Sequence, residues 1–261
     1  MQEKKVIEYH DELNDEFSPA QITAKKIDKN YVYIHKSFIK KFTHFFWYRI
    51  VAFPLAKVYL FFKFHHKILN KKVLKPFKKQ GYFMYANHTQ PTADALIPTM
   101  VALPKQVYVI VHPNNVSIPF LGKVTPSLGA LPLPDDMDAT KNFVKAIEQR
   151  VLEKKVIMIY PEAHIWPYYT KIRNFVDTSF RYPIKYDTPT FCFTNTYQYR
   201  KHSKKVKLVT YVDGPFFPNK DLSVKDQRKD LRDQVYNKMV ERSKKSVNET
   251  IIYKKGSDAN D

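Results

Sequence analysis

The chain has 261 residues and a mass of 30.9 kDa, with 44% hydrophobic and 26% charged residues, which excludes a disordered or low-complexity chain. With only five glycines and no G-x-G-x-x-G or G-x-x-x-x-G-K-S/T motif, it lacks a phosphate-cradling glycine loop, and its single Cys192 excludes an intramolecular disulfide framework or a zinc ribbon. Lys and Arg outnumber Asp and Glu by 44 to 25, a net charge of +19 that points to a polyanion: nucleic acid, an anionic bilayer or an acidic carrier.

Residues 1–36 are close to neutral and read as an irregular or partly helical lead-in. Their first residues are too polar for a secretory signal. From Lys29 to Ala93 there is no acid at all, while thirteen Lys and Arg occur. Within that window, residues 37–79 form a helical, aromatic, basic segment, with Phe42, Phe45, Phe46, Ile50 and Phe53 at helical spacing. Pro54 has no backbone donor, so a kink or a break into two helices is expected there. Arg49, Pro54, Lys57 and Lys63 interrupt the stretch 42–64, which argues against a membrane span, because cations at mid-bilayer cost about 3 kcal/mol each. Aromatics flanked by Lys36, Lys40, Lys41, Lys67 and Lys71 fit an element lying in the membrane surface. A helical hairpin packed on the core with a solvated rim fits the same pattern.

From about residue 80 short β-type runs alternate with helical ones. Strands are expected over 81–86, 106–111, 156–160, 190–194 and 206–212. Helices are expected over 94–101 and 140–153, the second capped by Asp138 or Thr140. Residues 224–247 read as a surface helix followed by a polar tail. This alternation predicts an α/β fold over 80–261, a mainly parallel sheet flanked by helices, behind the helical docking segment. Cys192, between Phe191 and Phe193, reads as a buried inert thiol.

Polar residues follow two of the strands. After the first comes Asn87-His88-Thr89-Gln90-Pro91-Thr92-Ala93-Asp94, and in open α/β sheets ligands bind beyond the carboxyl ends of strands. Asp94 can hold one ring nitrogen of His88 while the other takes a proton from a hydroxyl. Equally, His88 can be a loop residue and Asp94 a helix-N-terminal acid favoured by the dipole. After 156–160 come Glu162 and His164, which either face the same crevice or sit on a solvated turn.

Asn87-His88 followed by Asp94 resembles the N-H-x4-D motif of the glycerolipid (lysophosphatidic acid type) acyltransferase family. Tyr160-Pro161-Glu162 resembles its F-P-E-G-T-R motif, and Ile118-Pro119-Phe120-Leu121-Gly122 and Gly129-Ala130-Leu131-Pro132-Leu133 resemble its intervening elements. Thr188-Pro189-Thr190-Phe191 stands where the family has its last apolar strand motif. The resemblance covers about residues 80–195 and implies an O-acyltransferase with no metal or other cofactor. His88 would be the general base and Asp94 its orienter, and acyl-CoA or acyl-acyl carrier protein the thioester co-substrate. Asn87, Glu162 and His164 would contact the acceptor, a lysophospholipid or related glycerolipid. The implied setting is peripheral, on an anionic membrane surface at its cytoplasmic face, with no nucleic-acid partner.

This chain departs from the family pattern in places. Five residues, not four, separate His88 from Asp94. His112, Asp135 and Ile165 stand where the family usually has cations. Lys123, Lys171 and Arg173 are the nearby cations left to hold an acceptor phosphate; alternatively the acceptor is a lysophosphodiester or an uncharged glycolipid. Three other readings compete with acyl transfer. One is a metal-dependent hydrolase using His88, Asp94, His112, Glu162 and His164. Another is a basic nucleic-acid-binding protein, and the third is a catalytically silent lipid-binding member of the family.

Overall fold

The computed structural model describes residues 4–18, 23–35 and 37–256. Its first element is strand β1 (Lys5–Tyr9), so the lead-in is extended at its start rather than irregular or helical. Val6 and Ile7 favour extended backbone, but the partner strand lies at the opposite end of the chain. Lys5 faces Ile251 and Tyr9 faces Lys255 in a parallel pair with the last strand, Ile251–Lys255, inside what reads as a polar tail.

The helical segment runs unbroken from Phe38 to Phe64 as α1 (Phe38–Phe45), a π-helical stretch (Phe46–Ala52) and α2 (Phe53–Phe64). Pro54 does not split it: it falls in the first turn of α2, and the widened π turn just before it accommodates the missing donor. Against the expectation from its cations, the 23 residues Phe42–Phe64 are by length and composition enough to cross a membrane, with a mean hydropathy of 1.4 over an 18-residue stretch. Arg49 donates to the Pro104 carbonyl, and Lys63 lies in the last turn, 5.5 Å from the Tyr59 ring. One face packs inward through Tyr48, Ala56, Leu60 and Phe64. The Tyr48 hydroxyl accepts from Val107 N at 3.0 Å and bonds Thr99 Oγ1 at 2.9 Å, fixing the segment to the sheet and to the helix that follows. The other face leaves Phe38, Ile39, Phe42, Leu55 and Phe62 bare. Lys36, and the side chains of Lys40 and Lys41, lie outside the described residues.

Seven strands build the main sheet: β2 (Lys67–Leu69), β3 (Tyr82–Ala86), β4 (Val107–Val111), β5 (Ala130–Pro132), β6 (Val156–Ile159), β7 (Thr190–Arg200) and β8 (Ser203–Phe216). The small sheet pairs β1 with β9 (Ile251–Lys255). In the main sheet the order is β2-β8-β7-β3-β6-β4-β5, parallel throughout except for the antiparallel β7–β8 pair. The mainly parallel α/β fold read from the sequence is therefore the observed one. All five residues of β3 are buried, as a central strand covered on both faces requires.

Side chains alternate along the strands and split the core into two layers. Two short helices, α4 (Leu121–Val124) and α6 (Arg181–Lys185), precede the longer α5 (Met137–Leu152) and α7 (Val224–Ser243) respectively, and Phe83, Tyr85, Ile157 and Cys192 pack with the longer pair through Phe143, Ile147, Leu231, Val235 and Met239. Tyr82, Met84, Met158, Phe191 and Phe193 face Leu60, Phe64, Ile97 and Val101, the last two on α3 (Ala93–Ala102). Burial pushes the Cys192 thiol far above its ordinary range, consistent with an inert packing role. Asp136, not Asp138 or Thr140, caps α5 by accepting from Ala139 N at 2.7 Å. Gly129 has φ +95°, and a Cβ there would lie 2.4 Å from the Val107 carbonyl, so the turn into β5 requires glycine.

Candidate active site

β3 ends at Ala86, and the chain then turns through Pro91-Thr92 into α3. Asn87 extends the ladder with its side chain: Oδ1 accepts from Asn195 N at 2.8 Å and Nδ2 donates to Asn195 O at 3.0 Å. Both amide ends are thereby engaged and the residue is buried, so the Asn87 side chain ties the end of β3 to β7.

The extra residue between His88 and Asp94 does not separate them. The turn absorbs it, and His88 Nδ1 lies 2.9 Å from Asp94 Oδ2. The same oxygen accepts from Thr89 N and Gln90 N, each at 2.8 Å, while Oδ1 accepts from Asn195 Nδ2 at 3.2 Å. Asp94 is 1% exposed and its acceptor capacity is filled, which fixes it in one rotamer. With Nδ1 turned to the carboxylate, the Nδ1–H tautomer is the one the network selects, and Nε2 carries the lone pair. Nε2 has no hydrogen bond among the described residues, and 18% of the His88 side chain is open to solvent.

Tyr160 closes the other side. Its ring stacks on His88 at 4.4 Å between centroids and 19° between planes, and its hydroxyl donates to the Asp94 carbonyl at 2.5 Å. Tyr197 holds the loop from β7, its hydroxyl bonding Thr89 Oγ1 at 2.6 Å and accepting from Gln90 Nε2 at 3.1 Å. Burial raises the hydroxyls of Tyr160 and Tyr197 well above the usual tyrosine range, so both act as neutral hydrogen-bonding groups. Sequence reasoning named neither tyrosine in a site role, nor Asn195. Tyr160 stood inside a quoted motif, but Asn195 and Tyr197 lie beyond the expected end of the 190–194 strand.

Glu162 is buried and lies against the His88 backbone. Its carboxylate accepts from His88 N at 3.0 Å and Arg173 N at 3.1 Å and pairs with the Arg173 guanidinium at 3.4 Å. Burial pushes the Glu162 carboxyl above the ordinary range, opposed chiefly by Arg173. Arg173 is fully buried: it donates to the His164 carbonyl and to Glu12 O at 3.3 Å, and lies 4.9 Å from the Trp166 ring. It is committed to the ion pair and does not serve as an open phosphate-binding cation. His164 turns away to Glu16 of the lead-in at 3.1 Å. Lys123 and Lys171 are exposed, and neither makes an ion pair or hydrogen bond with the pair or its surroundings among the described residues.

The three positions that depart from the family pattern have structural work. Asp135 N donates to Ile27 O at 3.1 Å, and Asp135 Oδ2 accepts from Ile27 N at 2.5 Å, clasping the lead-in. Ile165 N donates to Glu16 Oε1 at 3.2 Å, also in the lead-in. His112 caps a short helical turn by accepting from Asn114 N at 3.3 Å. The ligand set considered for a metal does not converge: Glu162 is tied to Arg173, His164 to Glu16, and His112 to its cap. Among the described residues no three His, Cys, Asp or Glu side chains are grouped to hold a metal ion.

The His88–Asp94 pair lies beyond the carboxyl end of the central strand, at the sheet edge where open α/β proteins bind their ligands. A family model described as Acyltransferase matches residues 65–194, and over that segment the chain belongs to the acyltransferase family. The match contains His88, Asp94, Tyr160 and Glu162 and stops one residue short of Asn195. No curated protein matches the chain.

Proposed function

We propose that the protein transfers an acyl group from a thioester, acyl-CoA or acyl-acyl carrier protein, to a hydroxyl of a lysophospholipid or related glycerolipid. The observation that carries this reading is the His88–Asp94 contact with Nε2 left open. Nε2 takes the proton of the acceptor hydroxyl as its oxygen attacks the thioester carbonyl. Asp94 holds the ring and stabilises the imidazolium, and the proton then passes to the departing thiolate. A thioester is already activated, so one positioned base suffices and no covalent enzyme intermediate is required. Asn87 and Glu162 act as positioning residues, one fixing the strand end and the other the His88 backbone.

Lys123 and Lys171 remain available to an acceptor headgroup, whereas Arg173 is not. Without cations at 112, 135 and 165, the favoured acceptor is a lysophosphodiester or an uncharged glycolipid rather than a phosphomonoester. The bare apolar face of α1 and α2 supports docking on an anionic bilayer, at its cytoplasmic face. In that arrangement the helical segment lies in the interface with its inner face held by Tyr48.

The test is acyl transfer from labelled acyl-CoA and acyl-acyl carrier protein to a panel of lysolipids. Wild type should be active and His88→Ala reduced by about 10²-fold or more. Undiminished activity of His88→Ala would place the chemistry elsewhere. Lipid binding without transfer to any acceptor would favour the catalytically silent reading.

A further inference from the structure

The antiparallel pair β7–β8 does not stop where the sheet edge does. Asn195 is level with Asn87, and β7 continues for five more residues to Arg200, roughly 15 Å at strand rise. The hairpin thus overhangs the carboxyl edge on which His88 sits. Its tip meets the end of α2 and the start of β2, and between them lies an open groove of about 600 Å³. Lys67, Arg200, Lys201, Lys205 and Lys207 line it, and no acid does.

The charge in this groove is not consumed locally. The carboxyl-terminal carbonyls of α2 would ordinarily oppose an anion, but Arg200 donates to the Phe62 and Lys63 carbonyls. The backbone N–H groups of His65 and His66 bond the Phe61 and Leu60 carbonyls at 2.8 and 3.2 Å. The four lysines are left over: among the described residues none lies within ion-pair distance of a carboxylate. Five cations this close repel one another unless an anion sits among them.

A continuous hydrogen-bond path joins the groove to the site. His66, on the groove wall, bonds Thr210 Oγ1 through Nε2 at 2.8 Å, and Thr210 donates to Asn195 Oδ1 at 2.6 Å. Asn195 then holds Asp94, which holds His88.

We propose that the groove binds a phosphate ester, supplied either by the phosphates of a coenzyme A-type donor or by a phospholipid headgroup. Phosphate binding stands on the groove alone; its service to a reaction at His88 rests on the acyl-transfer reading.

The experiment uses the full chain and two charge-matched triple variants. One neutralises the groove (Lys67→Gln, Lys205→Gln, Lys207→Gln) and the other neutralises α7 and the residue after it (Lys225→Gln, Lys229→Gln, Lys244→Gln). Each is titrated calorimetrically with CoA and with 3′-dephospho-CoA, and sedimented with phosphatidylcholine vesicles with and without phosphatidate. The groove triple should lose about tenfold or more in affinity in one arm, with the α7 triple at wild-type affinity. Loss confined to CoA assigns the donor, and loss confined to phosphatidate vesicles assigns the headgroup. Equal behaviour of the two triples in both arms overturns the proposal. His88→Ala should bind like wild type, so an absence of acyl transfer in any assay leaves the phosphate result readable on its own.

Discussion

The side chain of Asn195 donates to Asp94 Oδ1 at 3.2 Å, so a residue on β7 holds the carboxylate oxygen that faces away from His88. Its own Oδ1 accepts from Thr210 on β8, and its backbone is clasped by Asn87, the residue that follows β3. Three strands therefore converge on the orientation of one carboxylate. Asn195→Ala should lower kcat by about tenfold or more, the equivalent of one buried hydrogen bond to a charged group, with KM little changed. Steady-state kinetics on the preferred acceptor read this. A rise in KM alone would place Asn195 in binding instead of positioning.

Arg173 and the two lysines named beside it should separate sharply. Arg173→Ala leaves Glu162 buried beside apolar and aromatic groups without its counter-ion, and should destabilise the fold by about 3–5 kcal/mol. Lys123→Ala and Lys171→Ala, both exposed, should stay within about 0.5 kcal/mol of wild type. Urea unfolding of the three variants checks this, and equal midpoints would contradict the buried pair.

Burial lowers the pKa of His66 from 6.5 to about 4, so the folded chain keeps its ring neutral where the unfolded chain takes up a proton. Its contribution to stability is complete above pH 6.5 and falls away as the pH drops from 6.5 toward 4, by up to about 1.4 kcal/mol per pH unit. His66→Asn should flatten the stability profile in that window relative to wild type, measured by chemical unfolding at pH 7 and at pH 5. An unchanged slope would show that His66 is protonated when folded.

The bare side of the helical segment can be tested by charge. Phe38→Glu with Phe62→Glu replaces two of its most exposed rings, 80% and 69% accessible, at sites that make little contact with the core. Burying each ring in a bilayer is worth about 1.5–3 kcal/mol, so vesicle affinity should fall by about 10²-fold or more while the melting temperature stays near wild type. Vesicle binding at wild-type level would exclude this face as the contact.

The α/β class was legible because its evidence is local: apolar runs such as Tyr82–Ala86 and Val156–Ile159 punctuated by polar turns and helical spacing. His88 and Asp94 were likewise legible as a pair, six positions apart and flanking one turn. The surroundings of the pair were not. Glu162 and Arg173 are an exposed-looking acid and base in sequence, and only the fold of residues 160–173 shows them neutralising each other. Asn195 and Tyr197 belong to a strand that runs six residues beyond its expected end, since a hairpin extending past the sheet has no partner pattern to announce it. Asp135 looked like a mismatch to a phosphate site, whereas its partner is Ile27, more than a hundred residues away.

The side-by-side lie of β1 and β9 ties two segments far apart in sequence into one parallel ladder. Pairing Lys5 with Ile251 closes a loop of nearly the whole chain, an entropic penalty of about 5 kcal/mol on logarithmic scaling. Contacts of such long sequence separation form late, so this clasp should be the last part of the fold to set and the first to exchange its amide protons. Tyr9 and Tyr253 pack on Trp166, whose backbone N–H in turn holds the His88 carbonyl at 3.2 Å. Trimming either end of the chain would therefore loosen the histidine loop from a distance.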